Sequence, residues 1–597
     1  MAKRWRFRPH DQARIRALER EARISPVVAQ LLIARSIADA RAALEFLNPK
    51  LSGLPDPDEL PGVSAAADRV MQAIRDRRAI VVYGDYDADG ITGTALLYEC
   101  LSLLGAQVSY YVPHRIDEGY GLNDDALQTL AGRGASMIVT VDCGIASVRE
   151  AETARTLGLE LIVTDHHEFA ERLPTAAAIV HPRLPGSAYP FAGLSGAGVA
   201  FKLAWAVCQR ANEAKKVSPR MRDFLVQAVG LAAIGTVADV VPLVDENRIL
   251  VRHGLASLCS QRSIGLERLM KLTGLGEKSC LDCEDIGFTL APRLNAAGRL
   301  GQAQLAVELL TTSSTERAAA LAEYLHELNG SRESLERSVY LAASKQIQER
   351  FDPENDAALV LDGRDWHPGV IGIVAGRLAE KHHRPVVMIA LDGVGVKPGI
   401  GSARSVPGFD LHEALRACTE HLLSHGGHAA AAGLKIEEPR IEAFRDDFCR
   451  LASELIRGDQ RTAELWIDSE TPFSSLTLDV VQEIEQLAPF GQGNHRPLLA
   501  ATGVTLAEPP KRIGGGGRHL ALRLVQHGVK LRGVAFGGGD WCTELGTADG
   551  PISLAFRPVI NSFNGRRTVE LHVADWRCEL ADQNAERRTQ NAEVASG

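Results

Sequence analysis

No stretch of the 597-residue chain approaches the ~18–20 uninterrupted apolar residues of a membrane span. The basic start, Met1–His10, has no apolar core of the kind a signal peptide carries. Both absences lead to the expectation of a cytoplasmic protein without a membrane partner. Cysteine is sparse: ten residues, irregularly spaced, with Cys280-x-x-Cys283 as the one close pair and no second pair to complete a zinc site. Reduced thiols are the default for such a chain. Positive charge is also in deficit, 66 Lys and Arg against 75 Asp and Glu, a net charge of -9. That excludes nonspecific adhesion to nucleic acid through overall charge, but not a local basic channel. At 45% hydrophobic and 24% charged residues, the composition is that of a globular protein, and the length suggests roughly four domains.

What is present begins at Val81-Val82-Tyr83-Gly84-Asp85-Tyr86-Asp87-Ala88-Asp89-Gly90. The β-branched run at Ile80–Val82 reads as a buried strand, and a helical pattern follows Gly90. Three carboxylates at alternate positions on such a turn repel one another and call for a counter-charge, for which a divalent cation is the usual choice. A polar turn is the plain alternative for any one of them. An EF-hand loop would need Glu at its twelfth position, where this chain has Leu96.

From 62 to 245, strand-like runs (Ile80–Tyr83, Val108–Val112, Ser136–Val141, Leu159–Thr164, Ala177–Val180) alternate with helix-like runs such as Thr92–Leu104 and Ser147–Leu157. This pattern predicts a doubly wound α/β domain with a mostly parallel sheet, whose ligands bind beyond the carboxyl ends of the strands. Those ends carry Asp142-Cys143-Gly144 and Asp165-His166-His167, and an apolar helix from Phe224 to Ile234 runs on to Asp239. A lone Asp after a strand is more often a helix cap than a ligand. Several on one sheet edge favour a common site.

Residues 246–350 read as helical, with an irregular basic segment at 291–300 and a linker helix from Ser314 to Arg350. A second α/β unit follows at 351–457, with strands at Ala357–Leu361 and Pro385–Ala390 and glycine-rich stretches around Ser402, Arg404 and His428. Glycine lets backbone approach a ligand, and serine and arginine suit phosphate, although turns explain most such clusters. Residues 458–580 switch to short strands with hairpin turns, predicting a small OB-like β-barrel. Between 500 and 578, ten Lys or Arg stand against six Asp or Glu. A basic barrel suits single-stranded nucleic acid; a solvated basic face is the alternative. Residues 1–61 form a helical segment and a proline-rich connector, and 581–597 a disordered tail.

The set Gly84–Gly90, Val141–Gly144, Thr164–His167 and Val237–Asp239 resembles the four motifs of the DHH phosphoesterase superfamily, with Gly426-Gly427-His428 like the signature of its companion domain. The 292–300 segment, Pro489–Asn494 and the barrel are similar to the bacterial single-strand-specific 5′-to-3′ exonucleases within it. The resemblance implies two divalent ions, Mn²⁺ or Mg²⁺, held by Asp85, Asp87, Asp142, His166 and Asp239, with Asp142 bridging. It implies roles at or beside the metals for Asp89 and His167, and places Arg115, Arg293, Arg299, Ser402, Arg404 and His428 as substrate-binding candidates; an arginine could equally serve a structural ion pair. It further implies a monomer at the nucleoid, with a helicase and a single-strand-binding protein as partners. The other readings are a phosphodiesterase of short oligonucleotides and a non-catalytic single-strand-binding scaffold.

The basic segments predict that affinity for a single strand falls with salt, with a log–log slope of roughly -0.7 per neutralised phosphate. Anisotropy titrations at several ionic strengths measure it, and a salt-independent affinity would contradict an electrostatic groove.

Overall fold

The computed structural model describes residues 3–115, 118–212, 215–352, 356–393, 395–456, 464–548, 550–563 and 565–578; the expected tail, 581–597, lies outside them. The described residues divide into two compact units, one within 51–456, the other of 3–50 with residues from 464 to 578.

The first unit begins with a five-stranded, wholly parallel sheet. Its strands are β1 (Ala79–Gly84), β2 (Gln107–Tyr111), β3 (Met137–Val141), β4 (Glu160–Thr164) and β5 (Ala178–Val180), in the order β2-β1-β3-β4-β5. Both faces are covered. Ile80 and Val82 point into one apolar core, while Val81 and Tyr83 point into another. That is why these strands read as continuous apolar runs rather than alternating ones. The strand order reverses between β1 and β3, the place where open sheets of this kind bind ligands beyond the carboxyl ends of their strands. The ladder runs one residue past each strand: Asp85 N–H donates to Val141 C=O (3.2 Å), Asp142 to Thr164 (3.1 Å) and Asp165 to Val180 (3.1 Å). Three aspartates are thereby fixed along one sheet edge.

Three helices cover the core that holds Ile80 and Val82: α1 (Ala88–Leu103), α2 (Gly196–Ala211) and α3 (Pro219–Ala238). Helix α3 is long and apolar enough to cross a membrane by composition, and half of that window is buried inside this fold. Asp239 is the C-cap of α3, so it follows a helix. The segment expected to be irregular is helical: a π-helical turn, Ile286–Leu290, leads into α4 (Ala291–Arg299). Pro292 stands in the first turn of α4, where its missing N–H does not break the bonding pattern.

Helix α5 (Thr315–Arg350) is 36 residues long, about 54 Å at 1.5 Å per residue. Leu321, Ala322 and Leu325 enter the first core, and Val339, Ala343 and Ile347 enter the core of the following lobe. One helix is therefore anchored in both. That lobe holds β6 (Leu359–Arg364), α6 (Pro368–His382), β7 (Val386–Leu391), β8 (Gly399–Arg404), β9 (Leu422–Gly427) and β10 (Ala431–Ile436). The sheet order is β9-β10-β8-β7-β6, and only β6 and β7 run parallel.

In the second unit, strand Arg4–Phe7 pairs in parallel with Glu464–Ile467. Helices Gln12–Ala22 and Pro26–Ile33 bury Ile15, Leu18, Val28 and Leu31 in the same core as Leu522, Leu554 and Phe556 of an OB-like sheet. The sheet contains seven strands, and Leu499–Leu506 pairs both with Ile552–Phe563 and with His519–Gln526. The N-terminal segment is thus shared out, 3–50 folding with the OB-like sheet and 51–61 with the first unit.

Inside the first unit, Lys202 of α2 is fully buried, with Nζ 2.5 Å from Glu246 Oε2 and 2.9 Å from the Pro55 carbonyl that it ties down. Removing one partner of such a pair strands the other charge. Lys202→Met is expected to cost about 3–5 kcal/mol in denaturant unfolding, with part recovered in Lys202→Met/Glu246→Gln. A loss within 0.5 kcal/mol would contradict this, by the usual measure of a neutral surface change.

Candidate active site

The turn after β1 is organised by its own carboxylates. Asp87 is the N-cap of α1, and its Oδ1 accepts from Asp89 N–H (3.0 Å) and Gly90 N–H (3.1 Å). Asn295 Oδ1 of α4 accepts from Ala88 N–H (2.8 Å), so the first donors of α1 are taken up by side chains. Asp89 is buried and accepts from the first turn of α2, Gly196 N–H (2.6 Å) and Ala197 N–H (2.9 Å), where the helix dipole favours an anion. Gly196 is required by closeness: a Cβ there would lie 2.4 Å from Asp142 Oδ1. Asp142 has a φ of 64°, a strained conformation for a residue with a side chain, taken where the chain turns off β3.

The Asp165-His166-His167 triplet turns at the end of β4. Asp165 accepts from the backbone N–H groups of His166, His167 and Ile145. His167 Nδ1 lies 2.8 Å from Asp165 Oδ1 and 3.0 Å from the Tyr120 hydroxyl. His166 Nε2 points the other way, 3.0 Å from Asp142 Oδ1, 3.5 Å from Asp239 Oδ2 and 3.9 Å from Asp89 Oδ2.

The seven acidic and histidine candidates therefore converge. Potential ligand atoms of Asp85/Asp87/Asp142, of Asp142/His166/His167 and of Asp89/His166/Asp239 lie within 4.8 Å of one another in each set. Burial and then repulsion from Asp87 push Asp85 well above the usual carboxylate range, and burial and Asp89 do the same to Asp142. Asp89 rises to about 7 and Asp239 to about 9 for the same reasons, the charge of Asp87 acting on Asp89 and that of Asp89 on Asp239. Burial, with the neighbouring His167, lowers His166 to about 3. Burial opposes a charge on His167 too, but the hydrogen bond to Asp165 wins and raises it to about 9. Asp85 Oδ1, Asp142 Oδ1 and His166 Nε2 are buried and make no hydrogen bond among the described residues. Buried polar atoms without partners fit metal coordination, and an oxygen-rich set with imidazole fits Mn²⁺ or Mg²⁺.

A cationic set lies within electrostatic reach. Arg115 stacks 4.8 Å above the Tyr86 ring, and its charge opposes the rise of Asp85. Arg299 donates to the Gly369 carbonyl (3.0 Å) at the start of α6. Burial, then repulsion from Arg115, Arg332 and Arg404, lowers it to about 10, with Asp87 opposing. Arg404 donates to Ser402 Oγ (3.2 Å) and is lowered by burial and by Arg115. Gly372 of α6 makes room for both: a Cβ there would lie 2.8 Å from Ser402 Oγ and 3.1 Å from an Arg404 nitrogen. His428 lies within electrostatic reach of Glu168, which is held low chiefly by its bond to Arg183. Arg293 turns elsewhere, donating to Thr289 C=O and to His326 on the linker helix.

Among the aromatic residues, Trp366 is buried against Gly363, and Tyr111 packs on Tyr83 and donates to Glu118. Tyr86 and Tyr120 remain at the site, edge to face at 6.4 Å. Sequence reasoning passed over three groups. Asp165, which orients His167, was readable from its triplet. Asn295, 207 residues from its partner, and the Tyr120 hydroxyl had no sequence signal.

Residues 79–233 match the DHH family N-terminal domain, 355–454 the DHHA1 domain and 467–575 the RecJ OB domain. The chain is 37% identical to a single-stranded-DNA-specific exonuclease RecJ of Bacillus subtilis over 575 residues, 96% of this chain and 70% of that protein. The chain belongs to the RecJ family. RecJ of Thermus thermophilus in complex with Mn²⁺ superimposes with a TM-score of 0.81 at 34% identity, covering 97% of this chain and 80% of that one. Its Mg²⁺ complex gives 0.76 at 32% identity, covering 97% and 79%. The architecture expected from the sequence, two α/β lobes joined by a long helix and an OB-like C-terminal sheet, is that of the RecJ family.

The charge cluster predicts an unusual stability profile. Asp239 and His167 have raised folded-state values, so both favour folding at low pH and lose that contribution as pH rises, Asp239 from about 4 to about 9 and His167 from about 6.5 to about 9. In EDTA, Asp142→Asn removes a buried carboxylate that folding must either protonate or leave repelled by its neighbours, and it is expected to melt at least ~2 °C above the parent at pH 8. In Mn²⁺ the order should reverse. Thermal unfolding measures both, and a variant less stable than the parent in EDTA would contradict the repulsion.

Proposed function

We propose that the protein is a metal-dependent, single-stranded-DNA-specific exonuclease that releases 5′ mononucleotides in the 5′-to-3′ direction and serves DNA repair and recombination. The observation that carries this reading is the pairing of buried, unsatisfied carboxylate and imidazole atoms with the Arg115, Arg299 and Arg404 set. The first set suits two cations and the second a polyanion. Family membership supports the substrate, since the B. subtilis relative is named for single-stranded DNA.

We assign Asp85, Asp87, Asp142, His166 and Asp239 to two divalent ions, Mn²⁺ or Mg²⁺. Asp142 would be shared by both ions: it belongs to two of the ligand sets, as His166 does, but has two carboxylate oxygens to offer where His166 presents Nε2. Bound, such ions supply Lewis acidity, which activates water and neutralises charge on the phosphate. The protein's own groups do the rest. Asp165 and Tyr120 hold His167 by Nδ1, so Nε2 is the atom that meets the phosphate, as hydrogen-bond donor or proton donor. Asp89 locks the start of α2 against α1 and keeps the ligand set in register. Arg115, Arg299, Ser402 and Arg404 grip phosphates, including the 5′ end, and His428 stands at the edge of this grip; Arg293 supports the helices instead.

The division of labour follows the chain: 62–245 for chemistry, 246–350 as support and linker, 351–457 for substrate grip, and the OB-like region 458–580 for single-strand binding. We further propose a cytoplasmic, nucleoid-associated monomer working with a helicase and a single-strand-binding protein.

The test uses one strand labelled at its 5′ end, the same strand labelled at its 3′ end, and a blunt duplex, each with Mn²⁺ and with EDTA. Release of 5′ mononucleotides from the single strands in Mn²⁺ alone is expected, with the duplex spared and Asp142→Ala at the EDTA background. Full activity in Asp142→Ala would overturn the ligand assignment. Cleavage confined to di- and trinucleotides would favour the short-oligonucleotide phosphodiesterase, and binding without hydrolysis the scaffold.

A further inference from the structure

The sequence segment that leads into α4 contains an apolar side chain with no evident use in the fold. Phe288 is 80% exposed, an unusual state for the side chain that would otherwise bury the most area in its segment. It stands in the middle of the π-helical turn Ile286–Leu290. Such turns are rare and occur frequently at functional sites. Ile286 and Leu290 on either side are buried in the core, so the turn itself is anchored while Phe288 is turned outward.

The location gives this exposure a meaning. The turn packs against the C-terminal part of α3, where a Cβ on Gly287 would sit 4.0 Å from Val237 Cγ1. Val237 is two residues before Asp239, one of the acidic cluster. The residue after Asp239, Val240, is 66% exposed and holds a φ of 60°, a conformation that β-branched residues avoid. In the other direction the same helical run carries Asn295, which caps the Asp87 turn, and Arg299 of the cationic set. An exposed ring therefore stands on the turn that packs against the end of α3, and an exposed, strained aliphatic side chain directly follows Asp239, on elements that also supply ligand and phosphate-gripping candidates.

We propose that Phe288 is a stacking platform for an unpaired nucleobase of the bound strand. The occupant follows from the chemistry beside it. A polyanion gripped through its phosphates near Arg299 must direct its bases somewhere. An unpaired base has an apolar face to cover, whereas a paired base has both faces stacked within the duplex. Base–aromatic stacking is tolerant of sequence, as a nuclease without base preference requires. The platform would thus favour an unpaired strand over a duplex. It rests on the single-strand reading above and names a residue that this reading did not use.

The experiment takes the full-length protein and its variants Phe288→Ala, Phe288→Trp and Phe288→Leu. Binding is read by anisotropy in Ca²⁺ with a labelled single strand, and with strands carrying one abasic site stepped nucleotide by nucleotide from the 5′ end. Cleavage of the same strands is read separately in Mn²⁺. At one abasic position the parent is expected to lose about 5- to 20-fold in affinity. Phe288→Ala should show that loss on the intact strand and no further loss at that position, while Phe288→Trp binds as tightly as the parent and Phe288→Leu falls between. Intact-strand affinity in Phe288→Ala equal to the parent, with an abasic penalty unchanged at every position, would overturn the platform. Because 288 is exposed, melting temperatures of all variants should match the parent. If the parent shows base-dependent binding through Phe288 yet no Mn²⁺-dependent cleavage, the exonuclease reading fails and the platform stands.

Discussion

Repulsion among buried like charges is the constraint around which the first unit is built. Asp85 and Asp142 end adjacent parallel strands, Asp87 and Asp89 follow within one helical turn, and Asp239 approaches from the end of α3. No fold gathers such a set for stability. Two carboxylates left charged at this depth cost several kcal/mol each, so in the metal-free protein protons take the place of cations. The surrounding structure bears the strain through rigid means: a sheet ladder that runs past the strand ends, glycines where Cβ atoms would collide, and backbone N–H groups trained on Asp87 and Asp89.

The same constraint explains the two-lobed plan. A site that binds phosphate with metals needs a complementary set of cations close by but not in contact with the carboxylates, which would otherwise close into salt bridges. The structure keeps them apart by deriving them from other elements. Arg299 is held by the Gly369 carbonyl, Arg404 by Ser402 and its own strand, and Arg115 by the Tyr86 ring. Helix α5, sunk into both cores, fixes the spacing between the lobes that carry them.

Much of this was legible in the sequence. Strands with both faces buried are β-branched runs, so β1, β3 and β4 could be found within a residue or two, and the rule that ligands gather at the carboxyl ends of parallel strands collected Asp85, Asp142 and His166 before any coordinates. Charge and hydrophobicity alone could not find what depends on long-range packing. The 291–300 segment looked irregular because proline and glycine weaken local helical preference, yet packing against α5 and the Tyr86 turn makes it helical. Asn295 and Tyr120 act only through partners brought near by the fold. Arg293 and Arg299 are alike in sequence, six residues apart, and only their surroundings separate a helix brace from a member of the cationic set. The N-terminal helices gave a clear apolar pattern but no hint that their partner lay more than 430 residues away.

The most direct test of the central claim is calorimetric titration of Mn²⁺ into metal-free protein near pH 7, repeated in buffers of different ionisation enthalpy to count the protons displaced. If the carboxylates are held together by protons in the absence of metal, filling the site must expel them. The account predicts release of at least about one proton per chain from the group that includes Asp85, Asp142 and Asp239, a release lowered by Asp142→Asn. Tight Mn²⁺ binding with no proton release would mean that the carboxylates are already ionised and that repulsion among them does not govern the site.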